Sequence, residues 1–213
     1  MFWDCFNLKV GPNMFTTGRA GHATFNSAFL NCYALTSVPK IHIESLRNRS
    51  GLYGYMFSGC SSITSAPIDY LRNSASVISS HLSAYNSFDP DEADTGVTGS
   101  SNIKEMYASM FKDCTNLTVA PFLYECALST AKYQASSQYQ SMFEGCSALS
   151  SLSTDFTHYS ANNNMINMIK NTAPNGVLWC KEVGDLSDHL AELGDASWTV
   201  SAYTDDNWKD IVY

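Results

Sequence analysis

Charge is scarce in this 213-residue sequence, at 15% of residues, and no uninterrupted apolar run approaches the ~18 residues that a membrane-spanning helix requires. Insertion into a membrane is therefore not expected. A glycine-rich phosphate loop, a Gly-x-Ser-x-Gly elbow and a Cys-x-x-Cys pair are all missing, and with them the local signatures of nucleotide binding, hydrolase chemistry and a paired-thiolate zinc site. Positive charge is short as well: 12 Lys plus Arg against 20 Asp plus Glu leave a formal net charge of -8. Such a surface repels polyphosphate, which speaks against nucleic acid as a partner. The opening MFWDCFNLKV has no basic stretch ahead of an apolar core and is interrupted by Asp4, so it does not read as a secretory signal.

What is present is a repeat. The stretch YASMFKDCTNLTVAP, Tyr107 to Pro121, recurs in whole or part as MFWDCFNLKVGP from Met1, FNSAFLNCYALTSVP from Phe25, YGYMFSGCSSITSAP from Tyr53 and YQSMFEGCSALSSLS from Tyr139. The shared order is aromatic, two residues, Met or Ala, Phe, two residues, Cys, two residues, Leu or Ile, three residues, Pro. Self-similarity at a period of roughly 20 to 50 residues marks a stacked-repeat architecture, in which each unit buries its apolar face only against its neighbours. Within a copy the aromatic, Met, Phe and Cys fall at offsets that share one helical face, predicting two helical turns. The segments LTSVP (Leu35 to Pro39), ITSAP (Ile63 to Pro67) and LTVAP (Leu117 to Pro121) read as short strands closed by proline. The equivalent Phe57, Phe111 and Phe143 are expected to dominate the core.

The interval from Cys60 to Cys114 is 54 residues, about twice the 27 and 28 of the preceding intervals. We read the excess as an insertion containing the acidic segment DPDEADTGVTGSSN, residues 89–102, and not as a degenerate copy. The pattern fades after the fifth copy. VLWC (Val177 to Cys180) and SWTVSAY (Ser197 to Tyr203) read as strands, and DLSDHLAELG (Asp185 to Gly194) as a helix opened by a capping Asp and closed by Gly. The expected layout is a repeat array over residues 1–174 and a capping region over 175–213.

The motif Ala-Phe or Met-Phe, two residues, Cys, two residues, Leu, resembles the BspA-type leucine-rich repeat, and the proline-ending form MFSGCSSITSAP (Met56 to Pro67) is similar to arrays in surface proteins of gut bacteria and virion proteins of their phages. The resemblance implies an α/β repeat solenoid, a stack of short helix plus short parallel strand with a C-terminal cap. It further implies a non-enzymatic, protein-binding role in a phage particle or, alternatively, on a bacterial cell surface. It brings no catalytic residues with it. The chain reads as soluble and without an export address: a piece of a surface protein, or a protein that reaches its destination by assembly.

Candidate chemistry is sparse. Cys5, Cys32, Cys60, Cys114 and Cys146 share one repeat position and should form an interior ladder of small apolar groups. Inter-coil disulfides remain open, while zinc is disfavoured because a column spreads its thiols along an axis. A Cys146 and His158 pair, or Cys126 or Cys180 outside the column, are the available nucleophiles of an enzymatic alternative, without a local signature for any of them. Asp89, Asp91, Glu92 and Asp94 offer oxygen ligands for calcium but lack the loop pattern of a calcium hand, and a solvated acidic loop is the plainer reading. No cofactor or metal is expected. Phe2, Trp3 and Phe6 form an apolar first coil without a polar cap and are the candidate interface with other proteins. A second copy of the chain is left open as a partner.

Overall fold

The structure, a computed structural model, describes residues 1–17, 19–20, 23–46, 51–73, 76, 105–124, 137–159 and 164–203. Its centre is a stack of windings laid one on another in chain order. The Phe25 to Cys32 segment lies against Tyr53 to Cys60, that against Tyr107 to Cys114, and that against Tyr139 to Cys146. Residues 164–172 add one more winding to the same ladder, with Met165, Ile169 and Thr172 where earlier copies carry the aromatic, Phe and Cys.

The backbone of each winding is not the expected helix. It is a run of overlapping four-residue turns with a left-handed residue at every fourth position: Ala23, Ser27 and Asn31; Gly51, Tyr55 and Gly59; Glu105, Ser109 and Asp113; Ser137, Ser141 and Gly145. A positive φ ends an α-helix, and one so regularly placed makes a chain of turns instead. Hydrogen bonding divides accordingly. In the winding from Gly51 to Cys60, the N–H groups of Gly54, Met56, Ser58 and Cys60 donate three residues back. Those of Tyr53, Tyr55, Phe57 and Gly59 donate across to Met106, Ala108, Met110 and Lys112 of the next winding, at 2.7 to 3.0 Å. The carbonyls of Leu52, Gly54, Met56 and Ser58 accept from the preceding winding, so both sides of the segment are bonded.

That division puts equivalent side chains in register. Phe2, Phe29, Phe57, Phe111 and Phe143 form one column with centroids 5.3, 5.6, 5.4 and 5.8 Å apart. Phe25, Tyr53, Tyr107 and Tyr139 form a second, at 5.7, 5.5 and 5.3 Å. Each fully buried ring contributes about 1.5 to 3 kcal/mol, and each stacked pair about 0.5 to 1.5 kcal/mol more. The windings of Cys60 and Cys114 are in direct contact although the interval between them is doubled; no winding lies between them. The acidic segment 89–102 lies outside the described residues.

Strand structure is slighter than the proline-ending segments suggest. The first turns of the array pair β1 (Met14–Phe15) with β3 (Ile41–His42) and β2 (Arg19–Ala20) with β4 (Ser45–Leu46), both parallel. LTSVP holds no named strand, and ITSAP and LTVAP meet in the single parallel bridge Ser65↔Val119. Register between windings is already fixed by the turn ladder, which leaves these segments little further pairing to do. The largest sheet is parallel, β5 (Ser151–Ser153), β6 (Val177–Cys180) and β7 (Thr199–Ala202). Between β6 and β7 lie α1 (Gly184–Asp188) and α2 (Leu190–Leu193), two short helices where one was expected. The break falls at His189, and Asp185 does not cap: it sits in the first turn of α1, where its Oδ2 accepts the Tyr159 N–H at 2.6 Å. Asn167 and Ile169 donate to the carbonyls of Glu192 and Leu193, so α2 rests on the last winding.

Candidate interaction surface

The position two residues before each Cys is half-buried or exposed in every winding but one, Ser58, which is buried. It is Leu30, Ser58, Lys112, Glu144 and Lys170 in successive windings, and Trp3 in the first. Toward the C-terminal end this column is charged: Lys112 Nζ lies 3.2 Å and Lys170 Nζ 3.9 Å from the Glu144 carboxylate. Burial pushes the Glu144 carboxyl up, but hydrogen bonds from Ser141 and Lys112 and the charges of Lys112 and Lys170 outweigh it and hold it below its ordinary value. Toward the N-terminal end the same face is apolar.

Trp3 is 61% and Phe6 53% exposed, whereas Phe2 is half-buried because it heads the phenylalanine column against Phe29. Phe2 is thus foremost a packing residue, and the accessible pair is Trp3 and Phe6. Phe6 stacks on Tyr33 at 5.3 Å, a third aromatic stack, on the surface and confined to this pair. Met1, Val10, Phe15 and Tyr33 extend the exposed apolar area. Of these, Tyr33 carries a signal in the sequence: it follows its Cys where other copies have Ser61, Thr115 and Ser147. The exposed large hydrophobics outside the first two windings are Tyr55 and Val119, among the described residues.

The column cysteines are built into the backbone network. Cys32, Cys60, Cys114 and Cys146 are fully buried, and each thiol donates to the carbonyl of the column phenylalanine one winding earlier, at 2.9 to 3.1 Å. Burial raises all four, with Cys60 and Cys146 pushed up to about 12. A thiol held protonated, bonded and dry is poorly placed to attack anything. Cys146 is in that state, and His158 is exposed with Nδ1 3.2 Å from Thr157 Oγ1. Cys180 is likewise buried, its thiol 3.1 Å from the Glu182 carbonyl and pushed up to about 11 by burial. Cys126 and the carboxylates Asp89, Asp91, Glu92 and Asp94 lie outside the described residues.

Every cysteine described is a free thiol, and Cys5 alone among them is exposed. Among the described residues no cluster of His, Cys, Asp and Glu gathers a metal-binding set, and no helix is long and apolar enough to cross a membrane. Comparison with known proteins finds no matching family model, no matching curated protein and no matching solved structure.

Proposed function

We propose that this chain is a non-enzymatic, protein-binding structural module: a leucine-rich-repeat-like solenoid of the BspA type over residues 1–174 with a cap over 175–213, serving as a component of a phage virion. The observation that carries the binding role is the concentration of exposed apolar side chains, Met1, Trp3, Phe6, Val10, Phe15 and Tyr33, on the first two windings, while farther along the position of Trp3 is held by Lys112, Glu144 and Lys170 and that of Phe6 and Tyr33 by Ser61, Thr115 and Ser147. Exposed apolar side chains concentrated in this way mark a place where another protein seats. In place of the helix that the repeat motif suggested, the winding is a run of left-handed-cornered turns, and the solenoid reading takes that form. The protonated, buried column thiols favour a structural role over a catalytic one. The assignment to a virion rests on the resemblance of the repeat alone.

The test is assembly. Particles purified from an infected culture should contain the chain by mass spectrometry, and the Trp3→Ser, Phe6→Ser double variant should fail to incorporate while melting like the wild type. Absence from particles, with recovery on a bacterial surface, would give the role to an adhesin instead. Equal incorporation of the double variant would remove the N-terminal windings as the contact face.

A further inference from the structure

We propose that Asn175 is a site of spontaneous deamidation, and that its isoaspartate product unseats the C-terminal sheet. Asn175–Gly176 is the one Asn-Gly pair in the sequence. Asn175 is exposed and stands at a left-handed corner, φ 57°, the last of the series Asn167, Asn171, Asn175.

This corner differs from its predecessors in a way that bears on the chemistry. After Ser27, Asn31, Asn167 and Asn171 the next N–H is tied down, donating three residues back to Phe25, Phe29, Met165 and Ile169. After Asn175 the corresponding carbonyl, that of Ala173, accepts the indole Nε1–H of Trp198 at 2.9 Å and not the Gly176 N–H. The Gly176 N–H and the Asn175 carboxamide have no hydrogen-bond partner among the described residues. The two groups that must react are therefore neighbours and untethered, and Gly176 has no Cβ to hinder their approach.

The reaction needs only water. The Gly176 nitrogen gives up its proton and attacks the Asn175 side-chain carbonyl carbon; an N–C bond forms, the carboxamide C–N bond breaks, and ammonia leaves with a proton. Water then opens the five-membered imide at one carbonyl or the other, giving aspartate, or isoaspartate with the backbone rerouted through the side chain.

The two products meet different fates. Aspartate keeps the backbone, and a left-handed corner accepts it about as readily as asparagine. Isoaspartate adds a methylene between the Asn175 Cα and the Gly176 nitrogen, immediately before a residue that is held in place. A Cβ built on Gly176 would lie 2.3 Å from the Trp198 ring, and the Gly176 carbonyl accepts the Thr199 N–H at 2.9 Å. Val177, the next residue, opens β6 in register with Ser151 and Thr199. An inserted methylene displaces β6 from both neighbours at its first pair.

The full chain, aged at mildly alkaline pH and mapped by mass spectrometry, should exchange amide for acid at Asn175 faster than at any other asparagine and yield both products. Aged protein should melt below fresh protein, Asn175→Gln should neither convert nor lose melting temperature on ageing, and Asn175→Asp should melt like the fresh wild type. Conversion at Asn175 no faster than at Asn26, which precedes a serine, would overturn the site. Isoaspartate-bearing protein that melts like fresh protein would overturn its consequence.

Discussion

The thiol of Cys114 donates its proton to the carbonyl of Phe57, 57 residues earlier in the chain and 3.1 Å away. That carbonyl already accepts the N–H of Cys60 at 3.0 Å within its own winding, so the thiol fills its second acceptor site. The same bond recurs from Cys60 to Phe29 and from Cys146 to Phe111. A cysteine at this position is therefore more than a small apolar side chain: it is a weak donor aimed at a buried carbonyl one winding away.

Thiol reactivity should divide sharply. At neutral pH a soluble alkylating reagent should modify Cys5, which is exposed, and leave Cys32, Cys60, Cys114 and Cys146 untouched until the chain unfolds. Rapid modification of any of the four in the native chain, read by peptide mapping, would contradict the buried column.

The same thiols set an alkaline limit. Burial raises Cys60 and Cys146 from 9.0 to about 12, so between those values the unfolded chain loses their protons and the folded chain keeps them. Stability falls with rising pH where the folded state binds more protons. The contribution is thus complete below about pH 9 and is lost as pH rises toward 12. Denaturant midpoints measured across that range should decline, and should decline less in a Cys60→Ala variant compared with its own value at pH 7.

Gly145 is a corner with φ 80° whose absent Cβ would lie 2.2 Å from Asp113 Oδ1. Gly145→Ala should cost about 1 to 2 kcal/mol from the left-handed backbone alone, with a further loss from the displaced carboxylate. Adding Asp113→Ala should recover the second part and not the first. Full additivity of the two substitutions in chemical denaturation would show that the carboxylate does not occupy the glycine's space.

Phe111 is fully buried between Phe57 and Phe143 in the middle of the column. Phe111→Ala should cost about 3 to 5 kcal/mol, the range for emptying a packed aromatic site. An unchanged denaturation midpoint would place Phe111 outside the core.

The register of the array was legible because Phe and Cys recur at fixed separation, and a column needs only that. The backbone between them was not. Offsets of three, four and seven residues suit a helix and a four-residue turn almost equally over so short a span. What separates them is the residue before each column cysteine, Asn31, Gly59, Asp113 and Gly145: all are types that tolerate positive φ, yet they read as spacer. The winding of residues 164–172 was obscured for a different reason. Met165, Ile169 and Thr172 keep the size and burial of the pattern while changing its letters. Phe2 and Trp3, adjacent in the sequence, part company because Phe2 holds the column position, stacked on Phe29, whereas Trp3 holds the position after it and is exposed. The thiol bonds were beyond reach, since they depend on how far one winding is offset from the next.

Direct contact between the windings on either side of the doubled interval is the claim on which the stack depends, and a double-mutant cycle on Phe57 and Phe111 tests it most directly. Leucine at each position keeps the core filled while removing the stacked rings, whose centroids are 5.4 Å apart. Phe57→Leu and Phe111→Leu should show a coupling free energy of at least about 0.5 kcal/mol, as for residues in contact. Losses that add to within about 0.3 kcal/mol, as for distant sites, would contradict that contact.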